Sequence, residues 1–181
     1  MRRLIPSLLL GLVLPLAGCH GELNRKQVAE FVDKADDAAR KRYAPEICEL
    51  RGKDFRMKLN FQGYNPRLPP TEMEIGRKLY CQNAAGFSRI RQYRLERTSM
   101  DIDIGTDRKT ARVSAEYIET SPYYEPGTMP ATPDDFQQFQ VVTSRDESVV
   151  GIEDGDVVFL STDSHSAQKL IPKSSVSIPY D

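Results

Sequence analysis

Few side chains here are spaced for chemistry, and the clearest pair is Asp163 and His165, two positions apart on a stretch that reads as a strand. Residues two apart on a strand share a face, and a carboxylate beside an imidazole can pass a proton. Glu116 is a second candidate base. Tyr80, with Tyr43 behind it, could donate a hydroxyl hydrogen bond to a developing oxyanion. No spacing obliges these groups to converge. Glu116 has the parity of a solvated strand face, the tyrosines fall among core positions, and Asp163 and His165 read equally well as surface polars. Gly-x-Ser-x-Gly, His-Glu-x-x-His and a glycine-rich phosphate loop are all absent. Asp101, Asp103 and Asp107 do not follow EF-hand spacing. With two histidines and no close cysteine pair, no metal or other cofactor is expected.

The first residues carry another kind of chemistry. Met1-Arg2-Arg3 precedes an apolar run from Leu4 to Ala17, broken by Pro6 and Pro15 and shorter than the roughly 20 residues that span a bilayer. A basic start, an apolar stretch and small residues are the marks of an export signal. The run ends in Leu16-Ala17-Gly18-Cys19, which resembles the lipobox of bacterial lipoproteins. The resemblance implies cleavage before Cys19 and acylation of its thiol, a step that needs a nucleophilic sulfur. An ordinary secretory signal with a chance cysteine is the plainer alternative. His20, not aspartate, follows Cys19, which resembles the outer-membrane sorting class and places the domain on the periplasmic face of the outer membrane. Residues 1–18 are then signal, 19–23 a short lipid-anchored tether, 24–167 the domain and 168–181 a loosely ordered tail.

Cleavage leaves 163 residues, enough for one domain with a core. It removes Arg2 and Arg3 and no acid, so the mature chain is two units more negative than the full sequence at −1. That balance, with the location, argues against nucleic acid as a partner. With Cys19 acylated, Cys48 and Cys81 are the remaining cysteines, and an oxidising compartment lets them form a disulfide. Two buried free thiols are the alternative.

The elements that would position these groups follow from periodicity. Asn24 with Gln27 reads as a helix cap. Val28, Phe31, Val32, Ala35, Ala38 and Ala39 recur at helical spacing over about 25–42, and a short second helix runs from Pro45 to Arg51. Odd positions from Phe55 to Phe61 alternate as a half-buried strand. Thr71 to Glu74 matches a capping box opening a third helix that fades near Gly86. Leu95 and the set Met100, Ile102 and Ile104 have opposite parity, which a bulge at 97–99 would reconcile. Gly105 to Lys109 is a hairpin loop, and Ala111 to Tyr117 alternates as its return strand. Ser121 to Pro133 is a proline-interrupted loop carrying Tyr123 and Tyr124. A final hairpin turns at 153–156. Arg89, Arg91, Arg94 and Arg97 form the one basic run, read as a solvated face. Helices first and then a strand meander indicate an α+β domain with its helices on one face of a curved antiparallel sheet.

The order of elements over about 24–166, and above all the stretch Glu147 to Ser166 with its acidic-glycine turn and His165-Ser166 ending, resembles the NTF2-like, or SnoaL-like, superfamily. A cystatin-like arrangement is the alternative. The resemblance implies a cone with a pocket between sheet and helices. It also implies a range of activities, from isomerase- and dehydratase-like enzymes to proteins that only bind, so the fold does not choose the function. The leading expectation is a non-catalytic module in the envelope that meets a protein or peptide partner, with Tyr123 and Tyr124 as contact residues and membrane lipid engaged through Cys19. A pocket for a small apolar ligand or lipid comes second, and an isomerase- or dehydratase-like enzyme third.

Overall fold

The computed structural model describes residues 21–124 and 135–176. Helix α1 (Arg25–Lys41) opens on Asn24, whose side chain accepts from the Gln27 amide while Gln27 Oε1 accepts from the Asn24 backbone. Two orphan amide donors are thereby satisfied at once. Its apolar stripe, Val28, Phe31, Val32 and Ala38, is buried. Arg42 closes it in the left-handed region, at φ 55°, and Pro45 sits in the first turn of α2 (Ala44–Glu49), where a missing amide proton costs nothing.

Six strands form one sheet in the order β2-β1-β6-β5-β4-β3. They are β1 (Arg51–Gln62), β2 (Thr71–Gly76), β3 (Arg94–Ile104), β4 (Thr110–Tyr123), β5 (Gln138–Glu153) and β6 (Asp156–Pro172). All neighbours are antiparallel except β1 and β6, which run parallel. The helices lie against one face, giving the α+β arrangement expected. Among the described residues no helix is long and apolar enough to cross a membrane.

Thr71–Gly76 departs from expectation. It is an edge strand paired with β1, and α3 (Arg77–Phe87) begins only after it, with Gly76 at the cap and no side-chain cap bond. The Thr-x-x-Glu spacing that suggests a capping box also fits a strand, and here Ile75 alone is buried while its neighbours are exposed. The C-terminal stretch differs too. Strand β6 continues to Pro172, and a 3-10 turn follows at Lys173–Ser175. Residues 168–172 pair with β5 from Val142 back to Gln138, which supplies the backbone partners that an isolated tail would lack.

Slips in strand register set which side chains face the helices. The register of β3 against β4 slips between Arg97 and Ser99, as the opposite parities of Leu95 and Ile102 require. A second slip between β5 and β6 leaves Leu160 unpaired, so that Phe159 and Thr162 both line the helix side. Leu160 then lies across Gly151, where an added Cβ would come within 2.6 Å of its Cδ1. The β5–β6 turn places Asp154 at φ 53° and Gly155 at φ 91°, the geometry of a tight hairpin with Asp-Gly at its centre.

Candidate functional site

The site is a cavity of about 380 Å³ between the sheet and the three helices. Its walls are mostly apolar: Val32, Ile47, Phe55, Ile75, Leu95 and Phe159 are all buried. The polar residues that enter it do so through strand parity. Cross-strand pairing aligns Met57, Thr162, Ser148 and Val113 in one row. Leu59, Ser164, Asp146 and Ala115 form the next. Tyr117 and Glu119 follow on the same face of β4. Side chains two apart share a face, so the rows lay Asp146, Tyr117 and Glu119 along the concave side.

Each carboxyl has donors of its own. Asp36, on α1, accepts from Arg97 Nη1 at 2.6 Å, with Arg40 Nη2 at 3.8 Å. Burial pushes its pKa up against the pull of both arginines and of the Tyr117 hydroxyl. Asp146 accepts from Ser164 Oγ at 2.6 Å. Burial raises its pKa as well, opposed by bonds from Ser164 and Ser144 and by the charge of Arg51. Burial likewise raises Glu119, opposed by its hydrogen bond with Tyr93, and raises the tyrosine hydroxyls of Tyr93 and Tyr117. A carboxyl that resists ionisation can donate a proton or a hydrogen bond near neutrality.

Arg51, at the start of β1, is the cation of the cavity lining. Its guanidinium carbon lies 4.3 Å from the Phe159 ring centroid, 4.8 Å from Tyr80 and 5.3 Å from Phe55. Nη2 donates to Tyr80 Oη at 2.8 Å, while Nε and Nη1 are buried without a hydrogen-bond partner.

Of the residues singled out from sequence, Tyr80 lines the cavity. Glu116, Asp163 and His165 are exposed on the opposite face of the sheet, because their parity is one residue away from Tyr117, Thr162 and Ser164. Asp163 and His165 do meet, with Nε2 to Oδ1 at 3.5 Å, but in solvent. Asp163 borders a separate outer depression with Arg56, Lys58, Arg112 and Glu147. Tyr43 is also exposed. Tyr123 packs edge-on against Tyr64 and Tyr124 against Phe136, with centroids 6.0 and 6.2 Å apart. The rest of their loop, 125–134, lies outside the described residues, as does Cys19. Cys48 and Cys81 form the expected disulfide, Cα to Cα 5.4 Å, joining α2 to α3 beside Ile47 and Tyr80 of the cavity wall. Among the described residues no group of three or more His, Cys, Asp and Glu gathers as metal ligands.

In the basic run Arg89, Arg91 and Arg94 are exposed as a solvated face requires, and Arg97 departs from that reading. The bulge at Thr98 keeps it on the inner side, where it reaches Asp36 and Asp33 from α1. Sequence inspection also passed over Asp36, Arg51, Tyr93, Glu119 and Asp146. A usable signal existed for Glu119, which continues the inward parity of Val113, Ala115 and Tyr117. For Arg51 there was none, since it lies outside the alternating run that marked the strand.

Neither a protein-family model nor a curated protein matches the chain by sequence. Solved structures do match by shape. A hexachlorocyclohexane dehydrochlorinase, LinA-type3, from Novosphingobium barchaimii aligns with a TM-score of 0.57 at 8% identity, covering 87% of this chain and 97% of that one. An NTF2-like protein from Cytophaga hutchinsonii aligns at 0.52 and 14% identity, covering 82% and 100%. An NTF2-like protein of unknown function from Pseudomonas putida aligns at 0.50 and 11%, covering 86% and 93%. At these identities the likeness is one of fold: the domain is an NTF2-like cone.

Proposed function

We propose that the protein binds a small, largely apolar molecule inside its cone, and that it does so from a lipid anchor on Cys19 at the periplasmic face of the outer membrane. The cavity carries the first half of this reading. A space of about 380 Å³ with apolar walls and a few convergent polar groups has the form of a ligand site. It moves the pocket ahead of the protein-interaction module, whose candidate contacts Tyr123 and Tyr124 both take aromatic partners within the domain. The anchor rests on the Leu16-Ala17-Gly18-Cys19 order alone.

Acid–base turnover is the second reading, favoured by Asp146 and Glu119. Both are carboxyls that burial keeps inclined to hold a proton, facing a space where substrate carbon would sit. A dehydrochlorinase among the structural neighbours shows that this shape can house elimination chemistry in another protein.

Calorimetric titration with 2-naphthamide, a neutral two-ring probe, tests the pocket. Ala39, on α1, lines the cavity and is only half-buried, so Ala39→Leu fills space without displacing packed atoms. Saturable one-to-one binding that weakens at least about tenfold in Ala39→Leu is the expected result, since an added isobutyl group excludes ligand volume. Binding of equal strength to both forms would remove the cavity as the site.

A further inference from the structure

Arg51 is a cation with no ion pair among the described residues; Asp146 feels its charge only from beyond ion-pair distance. Its side chain makes one hydrogen bond, to Tyr80 Oη. Three ring faces hold the guanidinium, with centroids 4.3 to 5.3 Å from its central carbon. Ring faces attract the charge through their quadrupoles but leave the protons on Nε and Nη1 without an acceptor. An unpaired buried charge is costly unless an acceptor arrives.

The carboxyls sharing the cavity do not fill that role. Arg97 and Arg40 hold Asp36, Ser164 holds Asp146, and Tyr93 bonds Glu119. Burial also weakens their tendency to ionise, which reduces their hold on Arg51.

We propose that the ligand is an organic monoanion, a carboxylate carried on a compact ring body, with its carboxylate seated on Arg51 and its rings against the apolar wall. This rests on the pocket reading above and names the ligand class for it. One guanidinium matches one negative charge. A phosphate dianion would bring a second charge that no other cation of the cavity lining meets. Guanidinium offers the planar donor fork that carboxylate geometry fits. Phe55, Tyr80, Tyr93 and Phe159 favour a flat, ring-based partner.

The test compares 2-naphthoate with 2-naphthamide, equal in shape and different in charge, against the mature protein and its Arg51→Met and Arg51→Lys forms. In the unaltered protein naphthoate should bind at least about thirtyfold more tightly than the amide. In Arg51→Met that preference should fall below about threefold, and saturable one-to-one binding of the amide that persists there, even if weaker, shows that the pocket is intact. Arg51→Lys should keep part of the preference, because it keeps the charge and loses the planar fork. Equal binding of acid and amide to the unaltered protein overturns the ligand class and leaves the pocket standing. A preference that survives Arg51→Met overturns the role of Arg51. Binding of neither probe removes the pocket reading and this one with it. If Arg51→Met does not fold, the Arg51→Lys comparison decides: an unchanged acid-to-amide ratio there overturns the proposal, and a reduced one supports it.

Discussion

Arg97 Nη1 and Asp36 Oδ2 stand 2.6 Å apart across the joint between β3 and α1, with the two side chains only 18% and 6% exposed. The bond fixes helix to sheet at the edge of the cavity. Breaking a withdrawn pair from one side strands the other charge, which commonly costs about 3 kcal/mol. Arg97→Ala should therefore lower Tm by roughly 6–12 °C in a domain of this length. Asp36→Asn should cost less, because Arg97 keeps Asp33 at 2.5 Å. Joint replacement, Asp36→Leu with Arg97→Met, should recover much of the loss. Thermal melts of the three forms check this, and equal Tm values for Arg97→Ala and the unaltered protein would refute it.

Glu119 makes a pH prediction whose sign follows from its burial. Its pKa is raised in the folded state, chiefly by desolvation. Folded protein therefore keeps a proton over a window in which the unfolded chain has lost it. Stability from this group is whole below the ordinary glutamate range and falls as pH rises through the elevated value. A glutamine in its place would not titrate, and the amide carbonyl would still accept from Tyr93. Glu119→Gln should match the unaltered protein at pH 4 and exceed it in Tm at pH 8 by about 2–4 °C, the size of a 1 kcal/mol gain. Some decline with pH should remain in the variant, since Asp36 and Asp146 are raised in the same direction. A gap that does not change with pH would count against the account.

The fold was legible where one period ran unopposed. The α1 cap, the bulge between Leu95 and Ile102 and the Asp154-Gly155 turn all follow from local pattern. Thr71–Gly76 was not, because Thr-x-x-Glu satisfies a helix template and a strand alternation alike, and the choice falls to β1, whose edge needs a partner. The cavity was harder to read. Asp146 looks like a surface acid in Arg145-Asp146-Glu147 until the β5 register places it opposite Ala115 and Ser164. Asp163 and His165 show the reverse: their spacing brings them together, and parity leaves them in solvent.

The Cys48–Cys81 link closes a sequence separation of 33 residues, and chain-entropy reasoning gives it about 3.7 kcal/mol of stabilisation. Reduction, or replacement of both cysteines by alanine, should lower Tm by roughly 7–15 °C. Because α2 and α3 both wall the cavity, ligand affinity should fall with it. Alkylation without reductant followed by peptide mapping checks the bond itself, and two freely labelled thiols would contradict it.

The tether sets a geometric constraint if Cys19 carries lipid. Leu23 is 1% exposed and its amide donates to Arg108 O at 2.6 Å, while Glu22 pairs with Arg108 at 3.0 Å. The chain is thus docked on the β3–β4 turn, four residues after Cys19. Fully extended, four residues reach at most about 14 Å, so that turn must lie beside the bilayer. Exposed Lys109 sits in the turn, whereas exposed Lys169 pairs with Val141, whose other neighbour is Thr120. The ten residue steps of β4 from Thr110 to Thr120 place these lysines roughly 33 Å apart along the sheet. Intact mass of detergent-extracted protein should show residues 1–18 removed and acyl mass added. On lipid vesicles, an amine-reactive, membrane-impermeant reagent should label Lys109 several-fold less than Lys169, and Cys19→Ser, released from lipid, should label both alike. An unmodified Cys19 would end the anchoring proposal. A lipidated chain with equal labelling of both lysines would instead show that Leu23 leaves its place on the domain when the protein is tethered.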